Sequence, residues 1–145
     1  MAKIKARYVS LTVLLIVGFI GYAIYAAWPM GHKSYENISV AQLEKLMKQK
    51  DFTLINVYIP YQGEIDNTDL LIPFDTVNQN KNLLPKNKDA GIVVYCMGDH
   101  MGHVAAEQLI NMGYTRVFNL KGGMLAWQGQ GLPLVRRQSL SRGVF

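Results

Sequence analysis

Ile92-Val93-Val94-Tyr95-Cys96-Met97-Gly98-Asp99-His100-Met101-Gly102-His103 joins a short β-branched run to a helical one, with the only cysteine of the chain at the junction. Asp89-Ala90-Gly91 precedes the apolar run and bounds it, so Ile92–Tyr95 reads as a buried strand. From Gly102 onward Val104, Ala105, Leu109 and Ile110 recur at helical spacing, and Gly113 reads as the C′ glycine that ends the helix. Cys96 is therefore expected at the carboxyl end of a strand, in a loop whose backbone N–H groups meet the start of a helix. Such a nest of donors stabilises an anionic sulfur.

The flanking sequence alternates strands and helices. Ser39 and Gln42 form a capping box ahead of Val40, Leu43, Leu46 and Met47 on one helical face. Phe52 to Ile59 reads as a strand stopped by Pro60, and a polar loop from Gln62 to Asp69 leads to the apolar run Leu70-Leu71-Ile72. Asp75 to Leu84 is predicted helical, ended by Pro85 and the basic turn Lys86-Asn87-Lys88. Arg116-Val117-Phe118-Asn119-Leu120 is a further strand, and Lys121-Gly122-Gly123 opens a short helix bearing Met124, Leu125 and Trp127. The fold class is α/β: a mainly parallel sheet with helices on both faces and ligands at the strand carboxyl ends. Gly122 and Gly123 are expected in a tight turn and Trp127 in the core. Glu64, Asp66 and Asp69 are expected in a solvated loop, and Tyr58 and Tyr61 beside the site.

Charge divides unevenly along the 145 residues. The net charge is +5, yet residues 29–135 hold nine Lys/Arg against ten Asp/Glu; the excess lies in Lys3, Lys5 and Arg7 and in the tail, at Arg136, Arg137 and Arg142. A near-neutral domain with no basic stripe excludes a nucleic-acid partner. After the basic segment 1–7, the run from Tyr8 to Trp28 carries no charge, and its 21 residues at ~1.5 Å each reach about 31 Å, enough for a hydrocarbon core of ~30 Å. Residues 8–29 are thus predicted to be a transmembrane helix, with Tyr8, Tyr25 and Trp28 at its interfaces. The run is long for the apolar region of a signal peptide, and neither Tyr25-Ala26-Ala27 nor Ile24-Tyr25-Ala26 forms a small-x-small cleavage site. The three leading positive charges place the N-terminus in the cytoplasm and the domain, residues 30–134, on the periplasmic or extracytoplasmic side of the cytoplasmic membrane, with residues 135–145 as a basic C-terminal tail. That tail is suited to anionic lipid, to a partner subunit or to plain solvation. One cysteine excludes an internal disulfide.

Asn119-Leu120-Lys121-Gly122-Gly123-Met124-Leu125-Ala126-Trp127, followed by Gly131-Leu132-Pro133-Leu134, resembles the closing Leu-x-Gly-Gly-x-x-x-Trp signature and Gly-Leu-Pro tail of the rhodanese-like domains. Val93–Cys96 with the six-residue loop Cys96–Met101 resembles the active-site strand and loop of that family, and Leu54-Ile55-Asn56-Val57 its second strand. Pro60 to Ile65, Thr68-Asp69 and Ile72 to Asp75 are similar to one branch of it. The resemblance covers residues 34–134 and implies a sulfurtransferase fold in which Cys96, as thiolate, takes a sulfane sulfur and holds it as a persulfide, then yields it to a thiol or other nucleophile. It implies no cofactor, a substrate-binding loop of Met97, Gly98, Asp99, His100, Met101 and Gly102, and a small sulfur donor or thiol acceptor as partner. Related phosphatases use a longer loop containing arginine; this loop is short and has none.

The family loop typically carries arginine where this chain has Met97, and often where it has Met101. Thiosulfate is a dianion, so its binding loses guanidinium partners here. Asp99 adds a negative charge that raises a nearby thiol pKa. Asn56 and Tyr58 stand where Asp and Arg are often found. Cys96, Met97, His100, Met101 and His103 fall within eight residues and offer thiolate, thioether and imidazole, ligand types that suit Cu(I). This motivates the alternative of a soft-metal (copper) module on Cys96, His100, Met101 and His103, without any standard ligand spacing. A milder role makes His100 or His103 an acid, base or cation beside Cys96. A further alternative is a non-catalytic accessory subunit among other membrane subunits, which Ala23 and Ala27, a small-xxx-small pair, permit.

Overall fold

A computed structural model describes residues 34–137, whose elements run in the order β1 (Glu36–Ile38), α1 (Val40–Met47), β2 (Phe52–Asn56), β3 (Leu70–Leu71), β4 (Gly91–Tyr95), α2 (His100–Asn111), β5 (Arg116–Leu120) and α3 (Gly123–Gly129). All five strands pair in parallel, in the order β1-β5-β4-β2-β3, so β4 is central. The expected membrane helix 8–29, the basic segment before it and the tail beyond Arg137 lie outside the described residues. Among the described residues no helix is long and apolar enough to cross a membrane.

Every residue of β4 is buried, as a parallel strand covered on both faces must be. Its period of two divides the core. Ile92 and Val94 join Ile55, Val117 and the inner face of α2 (Ala105, Ala106, Leu109) on one side of the sheet. Val93 and Tyr95 join Leu54, Leu120, α1 (Val40, Leu43) and α3 (Met124, Trp127) on the other. Cys96 continues the alternation and falls on the α2 side. The capping box at Ser39 and Gln42 forms as expected, and Gly113 follows the α2 C-cap with φ +91°. The core indole of Trp127 donates to the Pro133 carbonyl at 3.0 Å.

Several expectations need correction. Residues 75–84 form consecutive turns rather than a helix. Thr76 Oγ1 donates to the Pro73 carbonyl and Asn80 Nδ2 to the Thr76 carbonyl, so local side-chain bonds displace the helical ladder. β2 ends at Asn56, not Ile59, because Asn56 Oδ1 accepts from the Tyr58 N–H and curls the chain. α2 begins at His100, two residues before Gly102. Of the acidic cluster Glu64 departs from the expected solvated loop: it is buried, its Oε1 3.1 Å from Arg137 Nε, while Asp69, at the surface, accepts from the Leu54 N–H and pairs with Lys50. Asp66, with its local bonds to Asn67, and Asp69 remain exposed. Val135 bridges Glu64 in antiparallel fashion, and Arg137 Nη2 also reaches the Thr68 carbonyl at 3.0 Å, so the first residues of the basic tail are packed onto the domain.

Tyr95 ties that loop to the strand end that carries the cysteine. Its hydroxyl accepts from the Ile65 N–H at 3.0 Å and meets Thr68 Oγ1 at 2.6 Å; Thr68 already donates to the Ile65 carbonyl, so Tyr95 is the donor between the two. Burial pushes the Tyr95 phenol well above its ordinary value, with the hydrogen bonding at its oxygen pulling the other way. Tyr95→Phe strands the buried Ile65 N–H and is expected to cost about 1–2 kcal/mol in urea unfolding at pH 7. The raised folded pKa favours the neutral phenol, so this stabilisation is whole below pH ~10, where an unfolded tyrosine ionises, and is lost as pH climbs from there through the folded value. The difference in stability between the wild type and Tyr95→Phe should therefore shrink above pH ~10. A constant gap from pH 7 to 11 would contradict the assignment.

Candidate active site at the Cys96 loop

Cys96 follows the last residue of β4 and is 2% exposed. Residues 96–99 turn between β4 and α2, and the turn after β5 holds them from behind. Met124 N–H donates to the Cys96 carbonyl at 2.8 Å and Leu125 N–H to the Met97 carbonyl at 3.0 Å. Asp99, in the N-cap position of α2, makes no cap bond to its own helix; its Oδ1 accepts from the Gly122 N–H at 2.8 Å. Gly122 and Gly123 take φ of +74° and +52°, as expected of a tight turn, and a Cβ on Gly123 would collide with the carbonyl oxygens of Cys96 and Gly98. A glycine pair after β5 is thus what lets the two loops touch.

With the Cys96 and Met97 carbonyls committed to this turn, the loop residues keep their N–H groups. Among the described residues nothing accepts from the backbone N–H of Met97, Gly98, Asp99, His100, Met101 or Gly102; the first helical bond is His103 N–H to the Asp99 carbonyl at 3.1 Å. Six consecutive donors, three of them in the first turn of α2, suit a negatively charged atom held within the loop.

Each expected site residue has a distinct place. Met97 is half-buried against the α1 and α3 side of the core and Met101 against the α2 side, so the two thioethers flank the loop from opposite faces. Gly98 is partly exposed with open space at its missing side chain. Gly102 is buried, and a Cβ there would strike Asn119 Oδ1, whose own amide donates to Asn37 Oδ1 at 2.9 Å. His100 is exposed. His103 is held: Nδ1 lies 2.8 Å from Tyr35 Oη and Nε2 lies 3.9 Å from Asp99 Oδ1. Burial, with Glu107 adding to it, pushes the Tyr35 phenol up, so Tyr35 is a neutral hydroxyl able to donate to Nδ1 and leave the Nε2 proton facing Asp99. Of the two histidines weighed as acid, base or cation, His103 is the one the fold orients. Tyr58 is half-buried against both sides of the core, while Tyr61 turns to the tail and accepts from the Arg137 N–H at 2.8 Å.

Among the described residues no three His, Cys, Asp or Glu side chains gather at one point. Of the residues of the copper alternative, Cys96 is in the core, His103 is engaged by Tyr35 and Asp99, Met101 is half-buried and His100 is exposed. Tyr35, Asn119 and the amides of Gly122, Met124 and Leu125 are site-building groups that the sequence alone did not assign to the site. The glycine pair was the one signal pointing to the last three.

A family model described as the rhodanese-like domain matches residues 39–130. A sulfurtransferase of Allochromatium vinosum is 33% identical over 95 residues, spanning 63% of this chain and 86% of that protein. A thiosulfate sulfurtransferase of Pseudoalteromonas translucida is 26% identical over 107 residues, spanning 72% of this chain and 99% of its own length. Among solved structures, a rhodanese-related protein from Thermoplasma volcanium superposes with a TM-score of 0.61 at 25% identity, covering 71% of this chain and all of that one.

Proposed function

Because the chain belongs to the rhodanese-like domain family, whose sulfurtransferase members it resembles along most of the domain, we propose that it carries sulfane sulfur as a persulfide on Cys96. The observation that carries this reading is the run of six unclaimed N–H groups in the loop that Cys96 opens. A persulfide places its negative charge on the outer sulfur, and loop amides hold that charge without a metal or an organic cofactor. The thiolate is the attacking form. Met97, Gly98, Asp99, His100, Met101 and Gly102 form the wall around the transferred sulfur. His103, oriented by Tyr35 and Asp99, is placed to take up or return a proton at the rim.

The uncharged run 8–28 and the three cations ahead of it support a single-pass anchor at the cytoplasmic membrane, with the domain on the periplasmic side. The partners on this reading are a small sulfur donor and a thiol acceptor, with other membrane subunits as neighbours. Intact-mass measurement of the anchored protein after treatment with a low-molecular-weight persulfide is expected to show a gain of one sulfur, about 32 Da, mapped by peptide analysis to the segment containing Cys96. No gain from a persulfide or from thiosulfate would sink the carrier reading and leave the accessory-subunit role.

A further inference from the structure

We propose that the donor which loads Cys96 is a thiol-borne persulfide of low charge rather than an oxyanion such as thiosulfate, and that Asp99 and Met97 set this preference. The inference rests on the carrier reading above and goes beyond it by naming the substrate class.

Charge is the first ground. Asp99 is the only ionised side chain between Cys96 and His100, and the Gly122 N–H keeps its carboxylate in the loop. An incoming dianion meets a fixed negative charge of the same sign, screened in part because the Asp99 side chain is 44% exposed. Neither Arg137 nor Arg116 offsets it. Arg137 is committed to Glu64 and Thr68, and Arg116 stands at the amino end of β5, paired with Asp51. Lys121 is an exposed ammonium after the β5 end and lacks the planar fork that grips an oxyanion. His103 faces Asp99 at 3.9 Å and is held there by Tyr35.

Surface chemistry is the second ground. Met97 and Met101 flank the loop, and Leu125, 60% exposed, is bonded through its N–H to the Met97 carbonyl. A rim of thioether and alkyl groups gives the organic part of R–S–SH an apolar contact and gives a sulfonate none.

The transfer balances without an added oxidant or reductant. Cys96 Sγ, as thiolate, attacks the terminal sulfur of R–S–SH; the Sγ–S bond forms as the R–S to S bond breaks. The electron pair leaves on R–S⁻, which takes the proton of the transferred S–H. The products are Cys96–S–S⁻ and R–SH.

The test compares, on the full chain, two persulfides that differ by two carboxylates, those of 2-mercaptoethanol and of mercaptosuccinate, and adds thiosulfate, with the rate of one-sulfur gain on Cys96 read by mass. The wild type is expected to load from the 2-mercaptoethanol persulfide about tenfold faster than from the mercaptosuccinate persulfide, the size of a like-charge penalty near a protein surface. Asp99→Asn keeps an acceptor for Gly122 and removes the charge, so it should narrow that ratio about three- to tenfold. Met97→Arg, which adds a guanidinium without touching the Asp99 bond, should raise thiosulfate loading by a similar factor. Equal loading from all three donors, or a ratio unmoved in both variants, overturns the preference while leaving persulfide carriage intact. Absence of loading from every donor removes both.

Discussion

Cys96→Ser is expected to abolish sulfur uptake from every donor while leaving the domain folded. The chain has no other cysteine, so no second thiol can inherit the sulfur. A serine hydroxyl is not ionised near neutral pH and forms no stable bond to a sulfane sulfur. The side chain at this position is buried among Ile55, Ile92 and Val94, where a bare hydroxyl would cost about 1–3 kcal/mol. The unclaimed amides of the loop offer that hydroxyl partners, which places the expected loss at the low end, a drop of about 4–8 °C in Tm for a domain of this size. Parallel intact-mass and thermal-melt measurements separate the two effects. A one-sulfur gain surviving in Cys96→Ser would show that the sulfur resides elsewhere.

Gly123→Ala is the second large effect, and it acts without touching the thiol. The substitution puts a methyl group into the Cys96 and Gly98 carbonyl oxygens and forces an alanine to φ +52°, a left-handed conformation that costs ~1–2 kcal/mol before any clash. Backbone oxygens cannot swing aside as a flexible side chain can. The loop must instead pull off the turn, breaking the bonds from Met124 and Leu125. Sulfur loading is expected to fall at least about a hundredfold, because an ångström-scale misplacement of a reacting loop costs that much. Stability should fall by about 3 kcal/mol, combining backbone strain and two lost hydrogen bonds. Gly129→Ala, in the same short helix with open space around its Cβ position, serves as the matched control and should load at the wild-type rate. Equal loading in both variants would show that the clamp behind the loop is dispensable.

What the sequence made legible follows the range of the interactions involved. β4, Cys96 and α2 could be read because their signals are local: alternation in a buried strand, helical spacing, a glycine stop. The Gly122-Gly123 turn was readable for the same reason. β1 was not, since Glu36-Asn37-Ile38 is three residues long with two exposed side chains and has no room to show a period. The spacing of Val77, Leu83 and Leu84 imitates a helix, and only the side-chain bonds of Thr76 and Asn80 reveal why the segment turns instead. Glu64 reads as one acid among three until Arg137 arrives from the far end of the domain, and Tyr35 carries no signal of its own until it meets His103. Partners that distant leave no local trace. At the site, the residue types and the loop were legible, whereas the division of labour between His100 and His103 needed the fold.

The strand order carries a consequence for how the molecule comes into being. Among the described strands β1 is synthesised first and pairs only with β5, the last of them. A growing chain must therefore keep Glu36–Ile38 waiting until Arg116–Leu120 has emerged, and the amides of Met124 and Leu125 that brace the cysteine loop arrive later still. Until then the thiol has left the exit tunnel without its shelter. The finished domain hides Cys96 almost completely, so exposure to stray oxidants is greatest in the nascent chain, before the last short helix closes behind the loop.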